Sequence, residues 1–458
     1  MNAELQAFLA RHPEVHAVQV YLTDPSGVMR GKNLRRDELE AVYTHGRMVA
    51  GSILGLDVTG ADVEATGLVW EAGDADRRCL PVPGTLQPMP WQPGMGQLML
   101  SMHEMDGRPC DADPRHALAR NVARLQGRGF EPVFACEVEF YLLRRLPDGR
   151  LVPAGSDLPA REGQRERIEA YGLGRLDDLA PVFADLFAAA DAQGLPLGTL
   201  MSEYAPGQFE ITLQHRADAL RAVDEAIQYK RLVRGVAAKH GLLASFMAKP
   251  FTQRAGSGAH LHLSLADAQG DNLCAADDPA GSPLLQHMIA GLEATAAEAF
   301  LAFAPHGNSY RRFQQQSYAP VTANWGINNR SVSLRVPAGP PATRHVEHRF
   351  CGADANLYVA AAAVLAGAAQ GIEQRRLPGP AVTGNGYAQA ADPAQVPADR
   401  RLPATWPEAI ARARQSAFLR QALGEGFHRV YLAIKAQECA AWSAEVTDID
   451  LAWYLRSV

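Results

Sequence analysis

The sequence predicts an α+β fold, in which short strands and long helices build a small domain and a larger one. The first observation is a recurring alternation of apolar and polar residues, which is typical of strands that bury one face. The second is a set of long stretches with helical spacing of apolar residues, among them 217–240 and 283–303. The third is size, since 458 residues of which 47% are hydrophobic can bury one or two sizeable cores.

Residues 1–107 are predicted to form the small, strand-rich domain. Residues 15–22 alternate and run into the turn signal Asp24-Pro25-Ser26-Gly27, which predicts a hairpin with residues 28–32. The other expected elements are a helix at 36–46, strands at 48–57, 68–71 and 97–103, and a loop at 81–96. The polar turn at 106–109 marks the predicted boundary.

Residues 108–458 are predicted to form the larger domain. Helices are expected at 114–126, 177–193, 217–240, 283–303, 354–370, 406–423 and 425–440. Residues 144–175 are polar and rich in Gly and Pro, which predicts a long surface excursion.

Charge and composition exclude several classes of function. The net charge is −6 and the isoelectric point about 6.2, with no sustained run of Lys or Arg, so neither nucleic acid nor an anionic membrane is expected as a partner. Six widely spaced cysteines without a C-x-x-C pair are typical of reduced thiols. The first residues contain no apolar leader and no window approaches about 18 uninterrupted apolar residues, so we expect a cytoplasmic protein.

One predicted strand carries two glutamates on the same face. Glu137 and Glu139 lie within the apolar run 132–143 and are separated by Val138, so their side chains point the same way. Two such charges away from water would repel each other or stay protonated unless a cation lies beside them. The alternative is an edge strand whose acidic face meets solvent, and this strand alone does not decide between the two.

Other predicted strands also turn charged or imidazole side chains to one face. Taken singly, each such residue is as well explained by a solvated surface or a satisfied core position as by a ligand. Their repetition on successive strands favours one shared pocket. The residues concerned are Glu203, Glu210, His260, His262, Ser264, Arg335, His345, Glu347 and Arg349.

The combined residue types indicate metal-assisted chemistry on an anionic substrate. Five carboxylates and one histidine fit two hard divalent cations, Mg²⁺ or Mn²⁺, better than zinc, which favours Cys and more His. Arginines in the same place imply phosphate or carboxylate groups, and metals with arginines are typical of phosphoryl transfer. No phosphate-binding glycine loop of the usual form is present, so metals and side chains would hold a nucleotide. The predicted metal ligands are Glu137, Glu139, Glu203, Glu210, His260 and Glu347.

Six motifs in this order resemble those of the glutamine synthetase superfamily. They are E-V-E-F at 137–140, E-Y-A-P-G-Q-F-E at 203–210, G-S-G-A-H-L-H-L-S at 256–264, N-S-Y-R-R at 308–312, N-N-R-S-V-S-L-R-V-P at 328–337 and E-H-R-F at 347–350. The resemblance implies a β-grasp amino-terminal domain and a catalytic domain with a curved antiparallel sheet surrounded by helices. It also implies a dodecamer of two stacked hexameric rings, with each active site between neighbouring subunits.

The resemblance further implies a reaction and a role for each motif residue. ATP would phosphorylate the γ-carboxylate of L-glutamate, and a nitrogen nucleophile would displace phosphate. One metal would be held by Glu139, Glu203 and Glu210, and the other by Glu137, His260 and Glu347. ATP would be contacted by His262, Ser264, Arg335 and Arg344, and glutamate by Gly256, Arg312, Arg349 and Arg330, of which Arg330 would also stabilise the transferring phosphoryl group.

Two departures from the family pattern concern the nitrogen substrate. Glutamine synthetases carry an acidic residue in the small domain and a glutamate in a flap, and both serve ammonium. Ala50 and Tyr318 stand at those places, so we expect Ala50 in the amine site and Tyr318 in the catalytic flap. An aromatic surface without counter-charges suits a bulkier amine better than ammonium. Smaller departures near the glutamate and the nucleotide are Ala255, Ala342 and His345.

The leading hypothesis is an ATP-dependent glutamate–amine ligase that resembles the γ-glutamyl-polyamine or γ-glutamyl-monoamine branch. One alternative is an ordinary glutamine synthetase that uses ammonium. A second is a non-catalytic relative that keeps the fold for assembly, although all six metal positions are present. Phosphoryl transfer to a guanidino compound fits less well, because the arginines of the glutamate site are retained. The sequence leaves open which amine is used.

Overall fold

The computed structural model describes residues 2–155, 168–388, 396 and 400–458. The helices are α1 (Ala3–Arg11), α2 (Leu39–His45), α3 (Pro114–Gln126), α4 (Leu173–Asp178), α5 (Ala180–Gln193), α6 (Ala219–Lys239), α7 (Pro283–Phe303), α8 (Leu357–Gln374), α9 (Trp406–Gln415), α10 (Ala417–Leu423), α11 (Glu425–Ala444) and α12 (Asp448–Tyr454). The strands are β1 (Ala17–Thr23), β2 (Met29–Arg35), β3 (Arg47–Ala50), β4 (Asp76–Pro81), β5 (Gln87–Pro88), β6 (Met95–His103), β7 (Glu131–Arg145), β8 (Leu151–Pro153), β9 (Leu197–Ser202), β10 (Gln208–Leu213), β11 (Leu243–Ser245), β12 (Ala259–Ala266), β13 (Trp325–Ile327), β14 (Leu334–Val336) and β15 (Val346–His348).

The first sheet has the strand order β2-β1-β6-β4-β3, with β5 added beside β6. β1 runs parallel to β6, and its other neighbour β2 is antiparallel. The predicted hairpin is confirmed: Asp24 Oδ1 accepts hydrogen bonds from the amides of Ser26 and Val28, each at 2.9 Å. Gly27 adopts φ +85°, a left-handed conformation that glycine adopts at no steric cost.

The predicted strand 48–57 is too long, because β3 ends at Ala50 and a 3₁₀-helix follows over Gly51–Leu54. Two further expectations in this region are wrong. Residues 68–71 form turns and not a strand, because the apolar Leu68 and Val69 are buried singly at the edge of a core. β4 was not predicted, since its Asp-Arg-Arg opening masks the alternation of a strand. β4 nevertheless pairs with β6 on one side and β3 on the other.

The second sheet has the order β13-β14-β15-β12-β7-β10-β9, with β8 and β11 also paired to β7. All of its pairs are antiparallel except β13 with β14. β7 lies at its centre and is 15 residues long. The α+β fold class is therefore confirmed.

The core of the molecule lies behind this second sheet. Phe134, Val138 and Phe140 of β7 point into it and are fully buried. The predicted alanine-rich helix is α8, which packs against α7 where Gly291 meets Gly371, a contact too close for any Cβ atom. The six cysteines are all buried and unpaired, which confirms the expectation of free thiols.

The predicted surface excursion 144–175 is partly regular. β7 extends to Arg145 and pairs with β8, and α4 begins at Leu173, while residues 156–167 lie outside the described residues. Within the part of the chain that is described, no helix has the length and apolar character needed to cross a membrane. The division at 107 and 108 stays a prediction.

Candidate active site

The strand β7 separates an apolar core from a polar face. Its side chains alternate as predicted, with Cys136 and Val138 buried in the core and Glu137 and Glu139 on the opposite face. The Glu137 side chain keeps 27% of its exposure, so this face borders an open space. The solvated-edge alternative is excluded, because β7 lies in the middle of the sheet.

Cross-strand register places the other predicted acids and histidines beside these two glutamates. Glu210 of β10 pairs directly with Glu139, and His260 of β12 pairs directly with Glu137. One strand further, Glu347 of β15 pairs with His262. Residues far apart in sequence therefore form one continuous polar face.

Glu137, His260 and Glu347 form a set that we call the balanced group. One ligand atom from each lies within 4.8 Å of the others. His260 Nδ1 is 3.5 Å from Glu347 Oε1 and 3.7 Å from Glu137 Oε2. Arg335 donates to Glu347 Oε2 at 2.7 Å, and Arg349 donates to Glu347 Oε1. Two arginines thus neutralise the carboxylate of this group that is only 2% exposed.

Glu139, Glu203 and Glu210 form a second set that we call the acid-rich group. Glu139 Oε2 accepts hydrogen bonds from the Gln208 amide and from the Gly258 main-chain N–H, each at 2.9 Å. Atoms of Glu139 and Glu210 converge with His260 within 4.8 Å. Glu203 does not belong to that convergence, so its part in binding a metal stays a prediction.

The pKa values in the balanced group favour ionised carboxylates. Desolvation alone would raise the pKa of Glu137, but His262 and His260 lower it well below its usual range. Desolvation opposes ionisation of Glu347 as well, and Arg349 outweighs it, so that the pKa is again lowered. Desolvation and the nearby Arg349 lower the pKa of His260 to about 4, which keeps its imidazole neutral and able to bind a metal.

The acid-rich group shows the opposite behaviour. Desolvation and the repulsion of Glu203 raise the pKa of Glu139 to about 8. Desolvation and the neighbouring carboxylates likewise raise the pKa of Glu210 well above its usual value. Desolvation also raises the pKa of Glu203, and Arg330 offsets only part of this effect. The protein provides too little positive charge to ionise this group fully.

This donor set fits divalent metal ions. Carboxylate oxygens with a single neutral imidazole suit Mg²⁺ or Mn²⁺, and a bound cation would supply the charge that the acid-rich group lacks. The two convergent sets share His260 and meet along β7, so they are adjacent.

The residues predicted to hold glutamate lie around the loop that precedes β12. Gly256 packs against Arg312, and a Cβ atom on Gly256 would lie 2.9 Å from Arg312 Cγ and 2.5 Å from the Ala248 carbonyl. Arg312 is buried and donates to the Phe350 carbonyl at 3.0 Å. Tyr141 donates to the Ala255 carbonyl at 2.7 Å, which fixes the start of the loop.

The residues predicted to contact ATP separate into two sets. His262 and Ser264 alternate along β12 on the polar face, and Arg335 reaches the same face through Glu347. Arg344 is buried and donates to the main-chain carbonyl of Gly339 at 2.6 Å. A nucleotide contact of Arg344 stays a prediction.

Tyr318 and Arg330, which are predicted at the amine and at the transferring phosphoryl group, are more exposed. Tyr318 has φ +58° and is 59% exposed, so its ring stands out from the flap. Arg330 is also exposed, and its charge reaches Glu203. Ala50 ends β3, where it pairs with Asp76 of β4.

The structure adds to the site three polar residues to which the motif comparison assigned no role. Gln208 bridges Glu139 and the Gly256 carbonyl, Asn328 accepts a 3.1 Å hydrogen bond from Arg335, and His345 contacts His262 at 3.0 Å. Gln208 shares the strand face of Glu210, a signal that the alternation of β10 already contained. The alternation of residues 345–349 placed His345 on the polar face, whereas its contact with His262 depends on folding.

Comparison with known proteins identifies a family and several relatives. Residues 111–454 match the family described as the catalytic domain of glutamine synthetase. The gamma-glutamylputrescine synthetase of Escherichia coli (strain K12) is 38% identical over 99% of this chain and 94% of its own length. The glutamate–isopropylamine ligase of a Pseudomonas species is 30% identical over 99% of this chain and 97% of its own length.

Solved structures agree as well. A structure described as a GmaS/ADP complex is 28% identical over 99% of this chain and 100% of that chain, with a TM-score of 0.84. The motif order, the sheet and these matches lead to one conclusion. The chain belongs to the glutamine synthetase family.

Proposed function

We propose that this protein is an ATP-dependent ligase that joins an amine to the γ-carboxylate of L-glutamate through a γ-glutamyl phosphate intermediate. The observation that carries the proposal is the contrast within the site. Five of the six predicted metal ligands converge on one face, whereas Ala50 and the exposed Tyr318 stand where the motif resemblance leads us to expect acids in ammonium-using relatives. The two similar ligases described above are named for putrescine and isopropylamine, which supports an amine as the nitrogen substrate.

The acid-rich group would hold one Mg²⁺ or Mn²⁺, and the balanced group the other. When bound, such cations withdraw charge from the phosphates of ATP and favour transfer of the γ-phosphoryl group. Gln208 and the Gly258 amide keep the Glu139 carboxylate in place by two hydrogen bonds. Arg335 and Arg349 orient Glu347 in the same way.

The substrates would bind along this face, at the residues that the motif resemblance assigns to them. Gly256, Arg312 and Arg349 would bind glutamate, and His262, Ser264, Arg335 and Arg344 would bind ATP. A γ-carboxylate oxygen attacks the γ-phosphorus while ADP leaves, and Arg330 neutralises charge on the transferring group. The neutral amine nitrogen then attacks the acyl carbon and phosphate leaves with its electron pair, while the amine loses a proton.

Tyr318 would serve the amine. Its exposed ring can pack against the carbon chain of an alkylamine or lie near a second ammonium group of a diamine. A carboxylate at this position would instead bind ammonium, which is small and needs a counter-charge. This difference supports a carbon-bearing amine as the preferred substrate.

We also propose a cytoplasmic dodecamer of two hexameric rings. The motif resemblance supports the assembly, and the free buried thiols suit a reducing compartment. Light scattering coupled to size-exclusion chromatography would measure twelve subunits, whereas a stable monomer with full activity would overturn the assembly.

An amine panel tests the activity. The protein is incubated with ATP, Mg²⁺, glutamate and one of putrescine, a longer polyamine, ethanolamine, isopropylamine or ammonium, and phosphate release and the amide product are measured. We expect turnover with at least one alkylamine or polyamine and little with ammonium. Equal or faster turnover with ammonium would show an ordinary glutamine synthetase.

A pair of variants sharpens this test. Tyr318→Glu introduces a carboxylate into the flap and should raise the ratio of ammonium to alkylamine turnover. Tyr318→Phe keeps the ring and should leave that ratio near its original value. The same ratio in both variants would contradict the role of Tyr318.

A further inference from the structure

His345 and His262 form a side-chain pair at the edge of the polar face. His345 Nε2 lies 3.0 Å from His262 Nδ1, and the two ring centroids are 5.1 Å apart. The other nitrogen of His345, Nδ1, lies 2.7 Å from the Thr343 carbonyl oxygen. Both nitrogens of His345 are therefore engaged.

These contacts assign the single hydrogen of a neutral His345 and one hydrogen of His262. The Thr343 carbonyl can only accept, so His345 Nδ1 must donate to it. In a neutral imidazole the other nitrogen then has a lone pair, and His345 Nε2 accepts from His262 Nδ1–H. His262 Nε2 is buried and points to Glu137, whose Oε2 lies 3.3 Å away and whose side chain is 27% exposed.

The sheet provides His262 with no other acceptor for Nδ1–H among the described residues. Its neighbour on β7 is Ala135, which has no polar side-chain atom. Its neighbour on β15 is Glu347, whose two oxygens already accept from Arg335 and Arg349. Among the described residues, His345 is the side chain that contacts Nδ1 and holds the ring from this side.

We propose that His345 is a positioning residue for nucleotide binding. It holds the His262 ring with Nε2 against Glu137, at the border of the open space in which the polyphosphate of ATP would lie. The inference rests on the proposed function, since the ATP contact of His262 belongs to that proposal. Arg344 cannot take this part, because its guanidinium donates to the Gly339 and Asp278 carbonyls.

Two substitutions of His345 separate positioning from simple packing. In His345→Gln the longer side chain places an amide oxygen near the position of Nε2, where it can accept from His262. In His345→Asn the shorter side chain keeps a donor near the position of Nδ1 but does not reach His262. Both replacements are neutral and polar, so they form a matched pair.

The first readout is binding of the non-hydrolysable analogue adenylyl imidodiphosphate with Mg²⁺, measured by calorimetry on the assembled protein. Partners that orient a ligand through a second side chain typically contribute about 10-fold or more in affinity. We expect His345→Asn to weaken binding about 10-fold and His345→Gln to recover most of that loss. The KM for ATP should follow the same order, while the KM for glutamate and kcat at saturating ATP change little.

Three results would overturn the inference. They are wild-type affinity in His345→Asn, equal weakening in both variants, or a parallel rise of the KM values for ATP and glutamate together with a lower melting temperature. If the unaltered protein joins no amine to glutamate, the proposed function fails, and the binding comparison still decides the role of His345.

Discussion

The balanced group and the acid-rich group lie side by side on one sheet but differ in how their charge is neutralised. Around Glu347 the chain itself provides two arginines and a histidine. Around Glu139 the nearest ionisable side chains include other carboxylates, and the pKa of Glu139 rises to about 8. The charge of the balanced group is thus neutralised by the protein itself, whereas the acid-rich group requires a bound cation.

Because of this difference, the two groups are expected to respond differently to a bound cation. The balanced group orients its ligands without help, since each oxygen of Glu347 already has a donor. The acid-rich group stores electrostatic repulsion that a divalent cation relieves on binding. Metal binding is therefore expected to stabilise the protein mainly through the acid-rich group.

The largest effect is expected for Glu139→Gln. Losing one carboxylate of the acid-rich group should weaken metal binding and lower kcat for amide formation on the order of 1000-fold. The fold should survive, because the neutral amide resembles the protonated carboxyl that burial favours at this position. Turnover and melting temperature check both points, and Glu445→Gln on the exposed end of α11 is the control. Near-normal turnover would refute the metal assignment of Glu139.

A smaller effect is expected on the stability of metal-free protein, where substitutions in the two groups should shift the melting temperature in opposite directions. Glu347→Gln leaves Arg335 and Arg349 without a carboxylate partner, which should cost about 3 kcal/mol of stability. Glu210→Gln removes a repelled carboxylate and should raise stability. Melting temperatures in a chelator measure both variants, and shifts of the same sign would mean that the two groups do not differ.

The smallest effect is a pH dependence of stability. Glu139 has a pKa of about 8 in the folded chain, above the ordinary glutamate value of about 4.5, so folding favours its protonated form. Its stabilising contribution is complete below pH 4.5 and is lost as pH rises through 8. Between pH 6 and 8 the metal-free protein should lose about 2 kcal/mol, seen as a falling melting temperature.

Two controls belong to the pH experiment. Saturating Mg²⁺ should reduce the decline, because the bound cation favours the ionised carboxylate. Glu139→Gln should remove most of it even without metal. A decline of equal size in all three samples would assign the pH dependence to other groups.

The sequence predicted those parts of the site that local pattern determines. The period of two in β7 placed Glu137 and Glu139 on one face, and β12 showed the same for His260 and His262. The motif order then identified the family before any contact was known. Both signals depend on residues close together in the chain.

Features that depend on long-range pairing escaped prediction. The imbalance between the two groups follows from the register that sets Glu210 opposite Glu139 and Arg335 opposite Glu347. His345 meets His262 across 83 residues, which no local pattern indicates. β4 was missed for a related reason, since charged residues open it and pairing with β6 and β3 makes it a strand.

Proton release on metal binding tests the difference between the two groups most directly. Mn²⁺ is titrated into metal-free protein at pH 7 by calorimetry in buffers with different ionisation enthalpies, which yields the number of protons released. Because Glu139 is protonated at pH 7 without metal, the account predicts release of about one proton or more per subunit, and less in Glu139→Gln. Binding of Mn²⁺ without proton release would contradict it.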